Sequence, residues 1–399
     1  MDHQVPFIHL LRSPYDYYFY DVNTDDIVLV SEETFAYLQS IITEDNEKSN
    51  SLSCAVQEEY TRLIESGYLK SKRTKIFENP QVDVVSDLLM HGLNKLTLQV
   101  TQRCNFRCTY CDFTNYEGHR NRVHAPKTMS WDVAKRAVDF FVSRIRDSQM
   151  VDIGFYGGEP LLEFDLIKQV ISYLEDEMEG KQYSLSLTTN GSLLSLNVAE
   201  YLYRKDVSVL LSLDGPSEIH NKNRVFPDGT GTYDIVMLNV ETIRKELPEF
   251  YNKISINSVI DPTNDYRCMH DYLCSYFPHK NINTPFVDPQ PGVRLVFSHE
   301  FFNLYSNEKL LSYLLLLGVV NNGEIGSISG NYAAAIESSL LEYRRRIELP
   351  DRISHGGPCM PGVLRLFVDT DGALFPCEKV SEASAAIEAF RRSEISSAP

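Results

Sequence analysis

The chain is short of positive charge: 38 Lys and Arg stand against 55 Asp and Glu, a net charge of -17 over 399 residues. Affinity for a phosphate backbone is driven by Lys and Arg, so nucleic acid is not expected as a partner. Long apolar runs are also missing. The longest, residues 310–320, is interrupted by Ser312 and Tyr313 and is far too short to span a bilayer. The amino-terminal MDHQVPFIHLLRS has no basic stretch followed by an apolar core and a small-residue cleavage site, so neither a signal peptide nor membrane association is expected. A disulfide framework is equally unexpected. Eight cysteines in a large chain without an export signal fit reduced thiols and metal ligation in a cytoplasmic protein.

What is present is globular: at 43% hydrophobic the chain can bury a sizeable core, divided over two or three domains. Residues 5–30 hold three aromatic-rich runs separated by Ser13-Pro14-Tyr15-Asp16 and Asn23-Thr24-Asp25-Asp26, which reads as three short strands. Helical periodicity follows from Ser31 (Phe35, Leu38, Ile41, Ile42) and again over residues 55–66, stopping at Gly67 as helices often do. Strands then helices within 1–80 predict a small winged-helix-like module. From residue 96 short apolar strands alternate with helical patterns, the sequence form of parallel βα units. The predicted strands are 96–101, 151–156, 184–189, 208–213, 254–260 and 293–297. Six units predict an α/β fold, an open partial (β/α)6 TIM-like barrel over 94–300. Helices over 308–319 and 331–347 would bridge, within 301–354, to a last segment beginning at the Gly/Pro-rich residues 355–362 and running to 399, of which 381–399 are Ala/Ser-rich.

The densest chemistry lies at residues 104–111, CNFRCTYC, where Cys104, Cys108 and Cys111 are spaced C-x3-C-x2-C directly after the first barrel strand. Thiolates this close can share a metal centre. A closed zinc site needs four ligands; no fourth Cys or HxxxH pair follows at that spacing, and His119 and His124 fall on a polar loop. An open 4Fe–4S cluster needs three protein thiolates and leaves one iron free. The other strand ends carry Gly157-Gly158-Glu159-Pro160, Thr188-Thr189-Asn190-Gly191 and Ser212-Leu213-Asp214-Gly215. Two glycines let backbone approach a ligand closely, while Asn-Gly and Asp-Gly are also ordinary turn formers.

This ordered set resembles the radical S-adenosylmethionine (SAM) superfamily. The resemblance implies that Cys104, Cys108 and Cys111 hold a 4Fe–4S cluster whose free iron binds SAM, with Tyr110 beside the last ligand. It also implies that Gly157, Gly158 and Glu159 meet the methionine amino group, and that Thr189, Asn190, Ser212 and Asp214 are placed to bond the ribose hydroxyls and the carboxylate. Residues 219–234 resemble the segment of peptide and sulfatase maturases in which an arginine, here Arg224, approaches the SAM carboxylate, a task suited to guanidinium. Where those maturases commonly show His-Asp, this chain has His220-Asn221. Asn257, with Val259, would point toward the adenosine. Cys359 and the run RLFVDTDGALFPC ending at Cys377 resemble the opening of the SPASM domain, which binds auxiliary 4Fe–4S clusters, so the resemblance implies Cys359 and Cys377 as ligands of such a cluster; no cysteine follows Cys377 before residue 399, so either the segment is truncated or an auxiliary cluster is incomplete or differently ligated. Cys54, Cys268 and Cys274 read as buried small hydrophobes.

The function implied is reductive cleavage of SAM to a 5'-deoxyadenosyl radical that modifies a ribosomally made precursor peptide, with electrons from a reductant such as flavodoxin or ferredoxin. The amino-terminal module would hold the peptide leader by strand addition. PFIHLLRSPYDYYFYDVNTDDIV further resembles the start of maturases that form thioether links at Cys. Two alternatives stand beside it: an anaerobic formylglycine-generating sulfatase maturase, and a metal-stabilised peptide-binding protein without turnover.

Overall fold

The computed structural model describes residues 5–43, 53–78, 80–111, 124–145, 150–278, 280–288, 294–342, 346–354 and 361–381. In chain order the elements begin with β1 (Ile8–Arg12), β2 (Tyr17–Asp21), β3 (Asp26–Val30), α1 (Glu32–Ile42), α2 (Cys54–Glu65), β4 (Ile76–Phe77), α3 (Val85–His91) and β5 (Lys95–Thr101). Then come α4 (Trp131–Val142), β6 (Val151–Gly157), α5 (Phe164–Glu177), β7 (Tyr183–Thr189), α6 (Leu196–Arg204), β8 (Val207–Ser212), α7 (Ser217–Asn223), α8 (Tyr233–Glu246), α9 (Pro248–Lys253) and β9 (Ser255–Asn257). The last are α10 (Tyr266–Tyr276), β10 (Ile282–Asn283), α11 (His299–Leu316), α12 (Ser327–Glu342), β11 (Arg352–Ile353), β12 (Arg365–Val368) and β13 (Leu374–Phe375). They form two compact units, residues 1–84 with 339–359 and residues 85–338 with 360–399.

In the first unit the order β1-β2-β3 makes an antiparallel sheet, and α1 and α2 follow where the periodicity predicts them. The buried Asp21 carboxylate closes the turn after β2, accepting from the backbone N–H of Asn23 at 2.9 Å, of Thr24 at 3.1 Å and of Leu69 at 2.7 Å. Ser31 caps α1 by accepting from Thr34 N and donates its hydroxyl hydrogen bond to Glu59, so one serine both starts α1 and ties it to α2. Phe19, Leu38 and Leu63 fill the small core. Strand β4 pairs in parallel with β11.

In the second unit the sheet order is β10-β9-β8-β7-β6-β5-β12-β13. Every neighbouring pair is parallel except the terminal β12–β13 hairpin. Parallel strands need covered faces, and each strand here sends alternate residues two ways. Leu96, Leu98 and Val100 of β5, Ile153 and Phe155 of β6 and Leu185 and Leu187 of β7 join the helices' Ala137, Phe141, Val170 and Leu174 in one apolar core. By alternation, Thr97, Gln99 and Thr101, then Gly154 and Tyr156, then Ser186 and Thr188, face the interior of the open barrel. The carboxyl ends of the strands therefore collect polar groups at one edge of an apolar scaffold.

The predicted strand at 293–297 does not form: residues 294–298 have no regular structure, and the sixth parallel strand is the two-residue β10. Phe297 instead packs among Phe286, Phe301 and Phe302 at ring distances of 5.4, 4.7 and 5.9 Å, so its apolar run serves an aromatic cluster. The fifth strand is likewise cut to three residues. The β12–β13 hairpin extends the barrel sheet beside β5, its turn closed by the Asp369 carboxylate accepting from Asp371 N and Ala373 N. Among the described residues no helix is long and apolar enough to cross a membrane.

Candidate functional site

At the carboxyl ends of β5 to β9 lies a cavity of about 250 Å³. Its wall holds the three cysteines of the motif together with Tyr110, Gly157, Gly158, Thr189, Asn190, Ser212, Arg224 and Asn257. Residues from five different strand-end segments thus meet at one place, which α/β folds use for chemistry.

The cysteine segment is pinned on two sides. Along one, Arg107 N donates to Val225 O at 2.7 Å and Thr109 N to Asn223 O at 2.9 Å, while Phe106 is buried edge-on against Phe226 at 5.2 Å. Along the other, Gly158 N donates to Thr101 O at 3.0 Å and Glu159 N to Arg103 O at 2.8 Å. The glycine pair has a packing reason besides ligand access. A Cβ on Gly157 would stand 2.2 Å from Thr101 O, and one on Gly158 2.1 Å from Arg103 O, so only glycine lets the end of β6 lie against the backbone that leads into Cys104. Asn190 adds a third tie, its Nδ2 donating to Asn105 Oδ1 at 2.9 Å.

Two predicted contact residues stand behind the wall instead of in it. Glu159 is fully buried, and its carboxylate accepts from Leu161 N at 3.0 Å, Thr189 Oγ1 at 2.7 Å and Asn190 N at 2.7 Å. Burial raises its pKa to about 7 against the opposing pull of these hydrogen bonds. Asp214 is 1% exposed. One of its oxygens accepts from Tyr110 Oη at 2.5 Å and Arg224 Nε at 3.0 Å, the other from Val259 N at 3.1 Å. The guanidinium of Arg224 sits 5.5 Å from the Tyr110 ring centroid, which adds a cation–π term to the ion pair. Each carboxylate fixes groups that do face the cavity.

Burial pushes the Cys104 thiol up to about 12. It raises Cys108 too, with the Arg224 charge pulling the other way. All three cysteines are half-buried, lie outside any disulfide and line the wall. Among the described residues no group of three or more His, Cys, Asp or Glu could hold a single metal ion. Three thiols around an open space match a cluster that takes three protein ligands better than one ion that needs four at a point.

His220, buried at α7, accepts at Nδ1 from Asp214 N at 3.4 Å and contacts Thr232 Oγ1 through Nε2 at 3.0 Å. Thr232 Oγ1 in turn donates to Arg224 O at 2.8 Å, so Nε2 carries the ring proton. Burial drives the imidazole pKa down to about 3, consistent with that neutral tautomer. Asn221, where a carboxylate is commonly found, accepts through Oδ1 from Thr232 N at 2.8 Å and Tyr233 N at 2.9 Å. The position serves as a cap for α8, which needs an acceptor and no charge.

Elsewhere the picture departs from expectation. Cys54 is exposed at the start of α2, Cys268 Sγ lies 3.8 Å from Glu218 Oε1, and Cys274 Sγ lies 3.6 Å from His270 Nε2; none of the three is a fully buried apolar filler. Cys377 is half-buried beyond β13 and off the cavity wall; Cys359 and His119 fall outside the described residues. Residues not singled out from the sequence complete the wall. Tyr156 had a usable signal, an inward position just before the two glycines. Asp288 and Lys379, paired at 3.0 Å, come from 91 residues apart and had none.

Residues 98–273 match the model of the radical SAM superfamily. The cyclopropyl synthase TigE of Paramaledivibacter caminithermalis, a radical SAM enzyme, is 27% identical over 44% of this chain and 37% of its own length. A cysteine-type anaerobic sulfatase-maturating enzyme of Clostridium novyi is 23% identical over 72% of this chain and 74% of its own. The chain thus spans little more than a third of TigE. The solved structure of native anSMEcpe with bound AdoMet superposes with a TM-score of 0.54 at 20% identity, covering 72% of this chain and 75% of that one, which establishes a shared fold.

Gly158→Ala is expected to force Arg103 away and to destabilise the chain by about 3 kcal/mol or more, read as a loss in chemical denaturation. His220 makes a second prediction. Its folded pKa lies below the ordinary 6.5, so its contribution to stability is present above that value and is lost as pH falls from about 6.5 toward 3. His220→Gln should flatten this part of the stability–pH curve; an unchanged slope would show that His220 is not its source.

Proposed function

We propose that this chain, whose residues 98–273 match the radical SAM superfamily model, binds a 4Fe–4S cluster on Cys104, Cys108 and Cys111, holds SAM in the adjoining cavity and modifies a ribosomally made precursor peptide. The observation that carries the reading is the convergence of those three thiols with Gly157, Gly158 and Arg224 on one cavity wall. When bound, the cluster supplies the single electron that splits SAM into methionine and a 5'-deoxyadenosyl radical.

The chain's own groups divide the remaining work. Arg224, held through Nε by Asp214, offers its guanidinium to the SAM carboxylate and its charge favours the thiolate of Cys108. Backbone at Gly157 and Gly158 meets the methionine amino group, with Glu159 holding that turn in place. Hydroxyls of Thr189 and Ser212 and the carboxamides of Asn190 and Asn257 line the space for the nucleoside. Val259, Phe286 and Val287 on the same wall keep water from the reacting carbon.

In the first unit β1 and β3 are the sheet edges, and β3 exposes Ile27 and Leu29. An open edge with apolar side chains suits a leader peptide added as a further strand. Thioether formation at a peptide Cys is the finer reading; the 72% coverage by the C. novyi relative favours, as a second reading, conversion of a peptide Cys to formylglycine. Product mass separates them, since a thioether keeps the sulfur and formylglycine loses it.

Replacing Cys104, Cys108 or Cys111 singly by Ala should lower 5'-deoxyadenosine formation under dithionite to the level of a protein-free control. Wild-type yield from any one of the three variants would refute the assignment.

A further inference from the structure

The interior face of β5 carries one group that the site as described leaves unused. Gln99 is fully buried, and neither its Oε1 nor its Nε2 has a hydrogen-bond partner among the described residues. A buried donor or acceptor left unpaired bears its whole desolvation cost, and native interiors rarely keep one without a reason. Gln99 leaves one of each side by side. An apolar side chain of similar length would fill the space without that cost.

Register fixes where this carboxamide stands. Gln99 pairs across to Tyr156 of β6. On β6, Phe155 lies beside Leu187 of β7, so the following residues, Tyr156 and Thr188, continue the row. Tyr156 and Thr188 both line the cavity. One row further from it, toward the amino ends of the strands, the interior is tight: a Cβ on Gly154 would come within 3.1 Å of Ser186 Oγ and 3.7 Å of Thr97 Oγ1. Gln99 is itself buried off the wall, and its neighbour in the row, Tyr156, is on it, so the cavity is the side from which a partner is taken to approach.

We infer that Gln99 is a substrate-positioning residue whose carboxamide pairs with an amide group of the peptide that enters the cavity. A neutral group with a donor and an acceptor side by side is the complement of a peptide unit, and it offers no charge to an ionic ligand. The inference rests on the reading of the site as one that acts on peptides. It concerns orientation of the reacting carbon and not a proton or electron transfer.

The test uses Gln99→Leu in the full chain, reconstituted anaerobically, with N-acetylcysteine N'-methylamide as the probe. Two readings are taken: the melting temperature without probe, and the ratio of 5'-deoxyadenosine formed with probe to that formed without it. Removing an unpaired polar group is expected to raise the melting temperature by about 2 °C, while the probe's stimulation falls about tenfold and Gln99→Asn recovers part of it. A lowered melting temperature would mark Gln99 as holding a buried water or a structural contact and overturn the inference. So would equal probe response in wild type and variant, or no probe response from a wild type that cleaves SAM. A wild type that does not cleave SAM at all would overturn the reading of the site, and the inference with it.

Discussion

The Asp214 carboxyl group is shut away from water, and the frame of the cavity follows from how its two oxygens are satisfied. A buried carboxylate is tolerated only when paired and hydrogen-bonded; here Tyr110, Arg224 and the Val259 N–H take up both oxygens. Those three partners belong to the cysteine segment, the segment after α7 and the segment after β9. One carboxylate therefore locks three chain segments around the cavity, and removing a partner from such a pair costs roughly 3–5 kcal/mol. Glu159 links the turn after β6 to the end of β7. The arrangement ties these segments into one frame around the cavity, as the positioning of a bound group demands.

Much of this was legible in the sequence. Strands β5 to β8 and the three-strand, two-helix start of the chain follow from alternation and from serine caps, because long periodic segments announce themselves. The three cysteines follow from spacing alone. The direction in which Glu159 and Asp214 point was not legible: a carboxylate beside a glycine turn reads as a ligand-contacting group whether it faces the cavity or the backbone behind it, and only burial decides. Strand β10 was missed because two residues in a polar setting carry no period. Residues 293–297 were read as a strand because apolar content without its tertiary partner does not distinguish a strand from a loop packed on Phe301.

The β12–β13 hairpin brings the carboxyl-terminal segment to the barrel's edge beside β5, the strand that leads into Cys104. Through Lys379 and its partner Asp288 the same segment reaches the cavity wall. Asn221 shows how a departure from a family pattern is absorbed: the backbone of α8 asks for an acceptor, and an amide oxygen supplies it as well as a carboxylate does.

The central claim is that these three thiols hold a cluster with an iron free to take SAM. It is tested most directly by electron paramagnetic resonance of anaerobically reconstituted, dithionite-reduced protein, recorded before and after SAM is added. The expected result is a reduced 4Fe–4S signal whose line shape shifts when SAM binds. A cluster signal untouched by SAM, or a colourless protein that retains zinc and gives no signal, would contradict it.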